Sequence, residues 1–312
     1  MTTQTNRATT QKITSKQTKR LLFYVAAVTL PLLQFLIFYL YVNINSIILA
    51  FQKYSEIDGA YVKVFASFEN FGKAFQVIGE SWNKISNSLK MIACDVFISL
   101  PLALIFSFYI YKKFFLHKTF KVMLFMPQII SGIVFVMLFK YIANNVYQEL
   151  TGKTGLLMSD DENVKMATVL FYNVWISFGV NVMMFTGSMS GIDGSIVEAV
   201  ALDGASLIQE FFYVTMPMIW STFSTFVVIS LTGIFTHQLN LFAFYGEGAG
   251  RLESFGYFLY IQSLKPEDRT GVVKGTLTYS QLSALGLVLT MITLPIVLVS
   301  RKLMTKLGPS MD

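Results

Sequence analysis

The chain has 312 residues, of which 54% are hydrophobic and only 13% are charged. Soluble domains carry about 25% charged residues, so this chain has too few charges to cover a water-exposed surface. The composition excludes a soluble domain and an intrinsically disordered chain, and it predicts a polytopic membrane protein. The single cysteine, Cys94, lies in an apolar run, which excludes a disulfide framework and a cysteine-bound metal cluster.

Six apolar stretches are long enough to cross a bilayer, which needs about 20 residues per helix. They are residues 21–49, 85–111, 121–143, 166–190, 217–242 and 277–300. The predicted fold class is therefore all-α. A six-helix transmembrane domain over residues 21–300 is expected between an N-tail (1–20) and a C-tail (301–312). The prolines inside these spans are expected to kink them; they are Pro31, Pro101, Pro127 and Pro295.

The net charge of +6 is distributed unevenly along the chain. With six spans both tails share one side, and that side carries 12 Lys and Arg against 5 acids, whereas the other side carries 10 against 12. Because loops on the cytoplasmic side collect Lys and Arg, both termini are predicted to be cytoplasmic. The basic surplus thus indicates orientation in the membrane and does not indicate nucleic-acid binding.

One predicted cytoplasmic loop reverses this charge bias. Residues 191–216, here called the acidic segment, contain no Lys or Arg. The segment has four acids, which are Asp193, Glu198, Asp203 and Glu210. The simplest interpretation is a solvated interfacial loop, but its small alanines would allow a partner surface to approach closely. The acids could then pair with a basic cleft on that partner.

The acidic segment also contains two helix-start patterns and one helix-stop pattern. Ser195 followed by Glu198 fits a capping box, and so does Ser206 followed by Gln209. Gly204 lies between them, and glycine commonly ends helices because it adopts the left-handed conformation. The sequence therefore predicts a short helix, a turn and a second helix that leads to Pro217 at the start of the fifth span.

The stretch from Glu198 to Pro217, EAVALDGASLIQEFFYVTMP, resembles the EAA loop of permease subunits of bacterial ABC importers. The chain departs from that pattern at Val200 and Val214, and neither departure removes the charge, the turn or the proline. Phe211 and Thr215 have the spacing of the carbohydrate-uptake branch.

Two further stretches extend the resemblance to the larger, maltose-type permease subunit. Residues 68–71 (Phe-Glu-Asn-Phe) resemble the segment before the second span, and residues 246–250 resemble the glycine-rich outer loop after the fifth span. The resemblance implies a type I ABC importer permease fold.

The resemblance also implies a role for the acidic segment, which in this family docks into a cytoplasmic ATPase subunit. Carried over by position, Glu198 would make the ionic contact, Ala199 would be a close-packing position, Asp203 and Gly204 would set the turn, and Ala205 would be a second contact. The implied partners are a second homologous permease subunit, two ATPase subunits and an extracytoplasmic sugar-binding protein. ATP and magnesium would be bound by the ATPase subunits, with no cofactor in this chain.

Polar residues in the fourth and fifth spans are the candidate substrate contacts, because polar groups inside membrane helices tend to face cavities or partners. Asn173 and Ser177 share one helical face, and Ser230 and His237 are expected to share another. By their spacing from Glu198, these four positions resemble the sugar-contacting face of maltose-type subunits. Ile234 departs from that pattern, since a polar residue is expected there. Hydrogen bonding between helices is the alternative role for all four.

Asp95 is the one acid deep inside a predicted span. It could belong to a proton relay, but no acid or histidine neighbours it in sequence, so a structural pair or a water-exposed position is favoured. His237 could also be a metal ligand or a proton carrier. A histidine metal site is disfavoured because His117, the only other histidine, lies in a cytoplasmic loop.

The sequence is compatible with three functional classes. The favoured one is a non-catalytic permease subunit of an ATP-driven importer for a sugar or oligosaccharide. The alternatives are a secondary transporter driven by protons or sodium, and an ABC permease for another solute. A secondary transporter predicts inverted repeats and paired intramembrane acids, neither of which is evident. No nucleotide-binding motif occurs, since Gly152-Lys153-Thr154 lacks the glycine that must come five residues before Gly152.

Overall fold

The computed structural model describes residues 15–58, 60–265 and 277–309. Arg7, Lys12 and Asp312, which entered the orientation argument, lie outside the described residues. The helices in chain order are α1 (Thr18–Ala50), α2 (Glu69–Glu80), α3 (Trp82–Tyr111), α4 (His117–Ile129), α5 (Gly132–Thr151), α6 (Glu162–Ser190), α7 (Gly194–Leu202), α8 (Leu207–Met218), α9 (Trp220–Thr232), α10 (Leu241–Tyr245), α11 (Phe255–Leu264) and α12 (Tyr279–Leu307). A two-stranded hairpin, β1 (Gln52–Ile57) and β2 (Ala60–Phe65), follows α1.

The helical architecture agrees with up to six membrane crossings. Four helices, α1, α3, α6 and α12, are each long and apolar enough to span a bilayer. Two bent pairs also qualify if each pair counts as one span: α4 and α5 meet at 104°, and α8 and α9 meet at 69°. The predicted all-α class is confirmed, although the sequence analysis did not anticipate the hairpin.

The third predicted span, residues 121–143, is not one straight helix. The break lies at Ile130 and Ser131, whose ψ angles of 141° and 129° are extended rather than helical. Pro127 lies inside α4 just before the break. A proline removes one backbone hydrogen-bond donor, so the last turn of α4 is weakened where the chain changes direction.

The fifth predicted span, residues 217–242, is wrong at its C-terminal end. Its helix, α9, begins at Trp220 after the bend from α8 and ends at Thr232 instead of continuing through residue 242. Leu239 and Asn240 have positive φ angles of 58° and 55°, which a helix excludes. Ser230 and His237 therefore do not share a helical face as predicted, because His237 lies in an irregular segment after the helix.

The hairpin accounts for the Phe-Glu-Asn-Phe stretch at residues 68–71. The buried side chain of Asn70 donates to the carbonyl oxygens of Ala50 and Gln52, both at 2.8 Å. The first bond satisfies a carbonyl at the C-terminal end of α1, which its own helix leaves unpaired, and the second reaches the first residue of β1. Phe51 and Phe71, with ring centroids 5.0 Å apart, pack beside them. The stretch thus fastens the hairpin and α2 to the end of the first span.

Helices α3 and α6 form a close contact through small residues. Ser99, Ala103 and Ser107 recur every four residues along α3, and each is 0% exposed. The Ser107 hydroxyl donates to the carbonyl oxygen of Val182 in α6 at 2.9 Å. In a membrane, helices associate through such close packing and interhelical hydrogen bonds, since lipid offers no hydrophobic driving force. The pair therefore provides a rigid support next to the acidic segment.

Candidate functional site

The acidic segment forms the helix–turn–helix that its sequence predicts. Helix α7 ends at Leu202 and is followed by Asp203 and by Gly204, whose φ of 73° is the left-handed conformation that glycine adopts at low cost. The Ser206–Gln209 capping box is confirmed: the Ser206 amide donates to Oε1 of Gln209 at 2.8 Å, and the Gln209 amide donates to Oγ of Ser206 at 3.4 Å. The turn is thus fixed by local chemistry on both sides.

The other predicted capping box, Ser195 with Glu198, is wrong. Helix α7 is capped by Asp193, whose Oδ1 accepts from the Ser195 amide at 2.9 Å. That hydrogen bond holds the pKa of the Asp193 carboxyl below its usual value. Ser195 lies inside the helix, so the Glu198 side chain is not needed to cap it. Glu198 is left exposed on the surface of α7.

Glu210 is the one acid of the segment that is fixed to the rest of the protein. Its carboxylate forms an ion pair with Lys112 at the end of α3, and the two side chains are only 9% and 18% exposed. The Lys112 ammonium also lies 5.8 Å from the centroid of the Phe108 ring. Phe211 packs edge-on against Phe108 with centroids 5.1 Å apart. Helix α8 is therefore anchored to α3 by charge and by aromatic packing.

Glu198 and Asp203 remain exposed, and neither side-chain carboxylate has a hydrogen bond or ion pair among the described residues. Beside them the turn encloses a recess of about 370 Å³, to which Asp203, Gly204 and Ala205 contribute. Leu202, the last residue of α7, is 89% exposed. Free carboxylates, a recess and an exposed leucine together form a surface suited to a basic partner with an apolar ridge.

Asn173 is buried, at 2% exposure, and its polar atoms are already engaged. Its amide group donates to the carbonyls of Val169 at 2.8 Å and Leu239 at 2.9 Å, and its oxygen accepts from Asn240 at 2.8 Å. These contacts favour the alternative role for Asn173, which is to hold the irregular segment after α9 against α6. Its assignment as a substrate contact remains a prediction.

Ser230 and His237 lie beside a carboxylate that was not assigned to the site from the sequence. The Ser230 hydroxyl donates to Oδ2 of Asp95, and Asp95 lies close enough to His237 for an electrostatic interaction. Asp95 thus has the structural partner that the sequence analysis favoured. The second carboxylate oxygen has no hydrogen bond among the described residues and is not buried. Asp95, Ser230 and His237 therefore form a polar cluster, the Asp95 cluster, that joins α3, α9 and the following loop.

The remaining candidate, Ser177, is half-buried and donates to the carbonyl of Val174 at 3.1 Å. One turn further along α6, Asn181 contacts the Ser99 hydroxyl of α3 at 3.4 Å. No sequence pattern indicates that Asp95 contacts Ser230, because 135 residues separate them. Within the described ranges, no group of three or more His, Cys, Asp or Glu residues could hold a metal ion.

These features describe a polytopic α-helical membrane protein with an exposed acidic turn between two short helices. Residues 99–312 match the family described as the binding-protein-dependent transport system inner membrane component. The match covers more than half of the chain, so the chain belongs to this family, and the predicted family resemblance is confirmed.

Individual relatives agree with this assignment. The chain is 28% identical over 284 residues to the probable ABC transporter permease protein YurN of Bacillus subtilis (strain 168), covering 87% of this chain and 92% of that one. It is 23% identical to the arabinooligosaccharides transport system permease protein AraP of the same organism, covering 87% and 85%. A bacterial ABC transporter involved in the import of the acidic polysaccharide alginate has the same fold, with a TM-score of 0.70 at 18% identity and coverage of 94% and 99%.

Proposed function

We propose that this chain is the membrane-spanning subunit of an ATP-driven importer that carries a neutral sugar or oligosaccharide. The observation that carries the proposal is the contrast within the acidic segment. Glu210 is buried against Lys112, whereas Glu198 and Asp203 are exposed and unpaired in the described structure. A surface that is anchored on one side and open on the other is suited to transmit force from a partner to the spans.

The partner proposed for this surface is a cytoplasmic ATPase subunit, which binds ATP and magnesium. The complete importer would contain a second homologous permease subunit, two ATPase subunits and an extracytoplasmic sugar-binding protein. The family description, which names binding-protein-dependent transport, supports the last of these. In this arrangement the chain itself is not an enzyme, and Glu198, Ala199 and Ala205 contact the ATPase.

Both termini and the acidic segment are assigned to the cytoplasmic side. The support is the charge distribution, with 12 Lys and Arg against 5 acids on that side. Replacing Cys94 by alanine and introducing a cysteine at Lys302 would test the assignment. A membrane-impermeant thiol reagent should label this cysteine in inverted vesicles and not in intact cells.

Cargo contact is assigned to Ser177, Ser230 and His237, with Asp95 added from the structure. Hydroxyl, imidazole and carboxylate groups supply the donors and acceptors that sugar hydroxyls need. The name of the arabinooligosaccharide permease supports a sugar cargo. Asp95 would repel an anionic glycan, because a carboxylate in a membrane span interacts strongly with nearby charge. A neutral cargo is therefore preferred, in contrast to the alginate importer of the same fold.

The proposed coupling is tested on the purified complex in liposomes. ATP hydrolysis and sugar uptake should both rise when loaded binding protein is added, and Glu198→Lys should remove this response. Glu149→Lys, a charge reversal at an exposed acid of α5, is the matched control and should behave as wild type. Uptake that follows a proton gradient without ATP would instead favour a secondary transporter.

The role of Asp95 is tested by comparing two cargoes of equal length, a neutral oligosaccharide and one that carries a uronic acid. Asp95→Asn keeps the size and one acceptor but removes the charge, so uptake of the acidic sugar should rise severalfold relative to the neutral one. Equal changes for both cargoes would show that Asp95 acts only through the structure of the spans.

A further inference from the structure

A second cavity, of about 530 Å³, lies between α9 and the end of α12. Its wall is held by Trp220, whose indole nitrogen donates to the carbonyl of Met304 at 2.8 Å. The chain then passes so close to the indole that a Cβ atom on Gly308 would lie 2.6 Å from it. The cavity is therefore bounded by a fixed contact between two helices.

Two hydrogen-bond donors in this cavity lack an acceptor. The Arg301 side chain lines the cavity and has no ion pair or hydrogen bond among the described residues. The Ser224 hydroxyl is buried, lines the same cavity and has no partner. The neighbouring hydroxyls of Thr225 and Thr305 are satisfied by carbonyls of their own helices, at 2.8 and 2.9 Å. A buried polar group normally has a partner, so the unpaired Ser224 hydroxyl indicates a ligand that brings acceptor oxygens, and the exposed Arg301 side chain is free to bind the same ligand.

The charge of the ligand follows from the surroundings. Residues 290–309 contain Arg301, Lys302 and Lys306 and no acid. Guanidinium and hydroxyl donors together suit a phosphate group, since arginine binds phosphate oxygens in a two-pronged geometry. Val228 and Met304 give the same cavity an apolar portion along the helices. A ligand with a phosphate at one end and hydrocarbon at the other fits both parts.

We propose that this cavity binds the glycerophosphate headgroup of an anionic phospholipid, with the phosphate on Arg301 and Ser224 and an acyl chain along Val228. Basic pockets between membrane helices on the cytoplasmic side are suited to such headgroups. The choice of leaflet rests on the orientation assigned above, whereas binding itself does not depend on it. The site is separate from the Asp95 cluster and from the acidic segment's recess.

The test measures lipid binding to the full-length chain in detergent by native mass spectrometry. Phosphatidylglycerol and phosphatidylcholine with identical acyl chains are titrated against the wild type and three variants. Arg301→Gln should weaken phosphatidylglycerol binding about tenfold, as expected for loss of a charge-assisted hydrogen bond. Lys302→Gln removes the same charge one residue away, outside the cavity, and should change binding less than about twofold. Ser224→Ala should weaken binding by a smaller factor than Arg301→Gln.

Each of the following results would overturn the proposal. Equal weakening by Arg301→Gln and Lys302→Gln would indicate a diffuse surface charge, and equally tight phosphatidylcholine binding would indicate an acyl-chain groove without headgroup recognition. Displacement of the lipid by inorganic phosphate or by added ATPase subunits would assign the cavity to a free anion or to a protein contact. If Arg301→Gln does not fold, Ser224→Ala decides, since unchanged phosphatidylglycerol binding in that variant also contradicts the site. Sugar uptake does not enter this test, so its outcome is independent of the proposed cargo.

Discussion

The two helices of the acidic segment differ in how the rest of the protein holds them. None of the residues of α7 is buried, whereas α8 buries Glu210 and Thr215 and packs Phe211 on Phe108. The ion pair with Lys112 adds an electrostatic anchor to α8. Acids of equal charge in one segment therefore have different roles, one exposed to a partner and one buried in an ion pair. Burial and the available partner decide the purpose, and the residue type alone does not.

This difference divides the segment into a recognition part and an attachment part. The acidic surface of α7 is exposed and unpaired in the described structure, so it is available to a partner. The attachment part instead has to stay packed against α3 when the partner binds and moves. A buried ion pair and aromatic packing hold it there. Substitutions in the recognition part should therefore lower coupled uptake, whereas substitutions in the attachment part should lower folding stability.

The largest effect is expected from Glu198→Lys in the recognition part. Reversing the charge replaces attraction by repulsion at a proposed contact, which should lower coupled uptake by about tenfold or more. Because Glu198 has no partner in the described structure, the amount and thermal stability of the protein in the membrane should stay at the wild-type level. The measurements are sugar uptake in cells and the melting midpoint of the purified complex. A Glu198→Lys protein that transports normally would contradict the recognition role.

The next effect is expected from the attachment part, at the Lys112–Glu210 ion pair. Lys112→Leu or Glu210→Leu alone leaves a buried charge unpaired and should cost about 3 kcal/mol of folding stability. The double variant Lys112→Leu with Glu210→Leu removes both charges and should recover most of that loss. Thermal denaturation of the four proteins forms a complete double-mutant cycle. If the double variant loses as much as the two single variants added together, the pair does not act as a unit.

A smaller effect is expected from Gly204→Ala at the turn between the two parts. A φ of 73° is strained for a residue with a Cβ atom and costs roughly 1–2 kcal/mol. The turn should loosen and reorient α7, so that uptake falls partway while insertion is unchanged. Limited proteolysis near residue 204 should accelerate in the variant. Gly187→Ala, in α6 with nothing within 4 Å of its Cβ position and no positive φ, is the control and should show neither change.

Local chemistry made much of the acidic segment predictable from sequence. The Ser206–Gln209 box and the Gly204 stop are set by neighbours within four residues, so the helix–turn–helix could be anticipated. The first helix start was misplaced because two good caps, Asp193 and Ser195, lie two residues apart. A helix that begins at Gly194 uses the first of them and takes Ser195 into its first turn.

Contacts between distant residues account for what the sequence did not reveal. Lys112 and Glu210 lie on different helices, and so do Asp95 and Ser230, so neither pair follows from periodicity. The apolar run through residue 242 concealed the end of α9, because hydropathy does not register the positive φ angles at Leu239 and Asn240. The hairpin lies between the first two predicted spans, where hydropathy carries no information about strands. The existence of the six apolar stretches needed no such information, since bilayer thickness sets the number of apolar residues that a span requires.

The smallest effect, and the finest test of the comparison, concerns the cap of α7. The hydrogen bond from the Ser195 amide lowers the folded-state pKa of Asp193, so the cap contributes fully above the unfolded pKa and is lost as pH falls through the folded value. Asp193→Asn keeps a capping oxygen at every pH and provides the reference. Below about pH 4, pepsin should cleave α7 faster in the wild type than in Asp193→Asn, whereas the two should match near pH 5. The buried part of α8 should show no such difference, since its anchor does not depend on Asp193. A pH-dependent change of equal size in α8 would mean that the two helices unfold together, and the division into a recognition part and an attachment part would no longer hold.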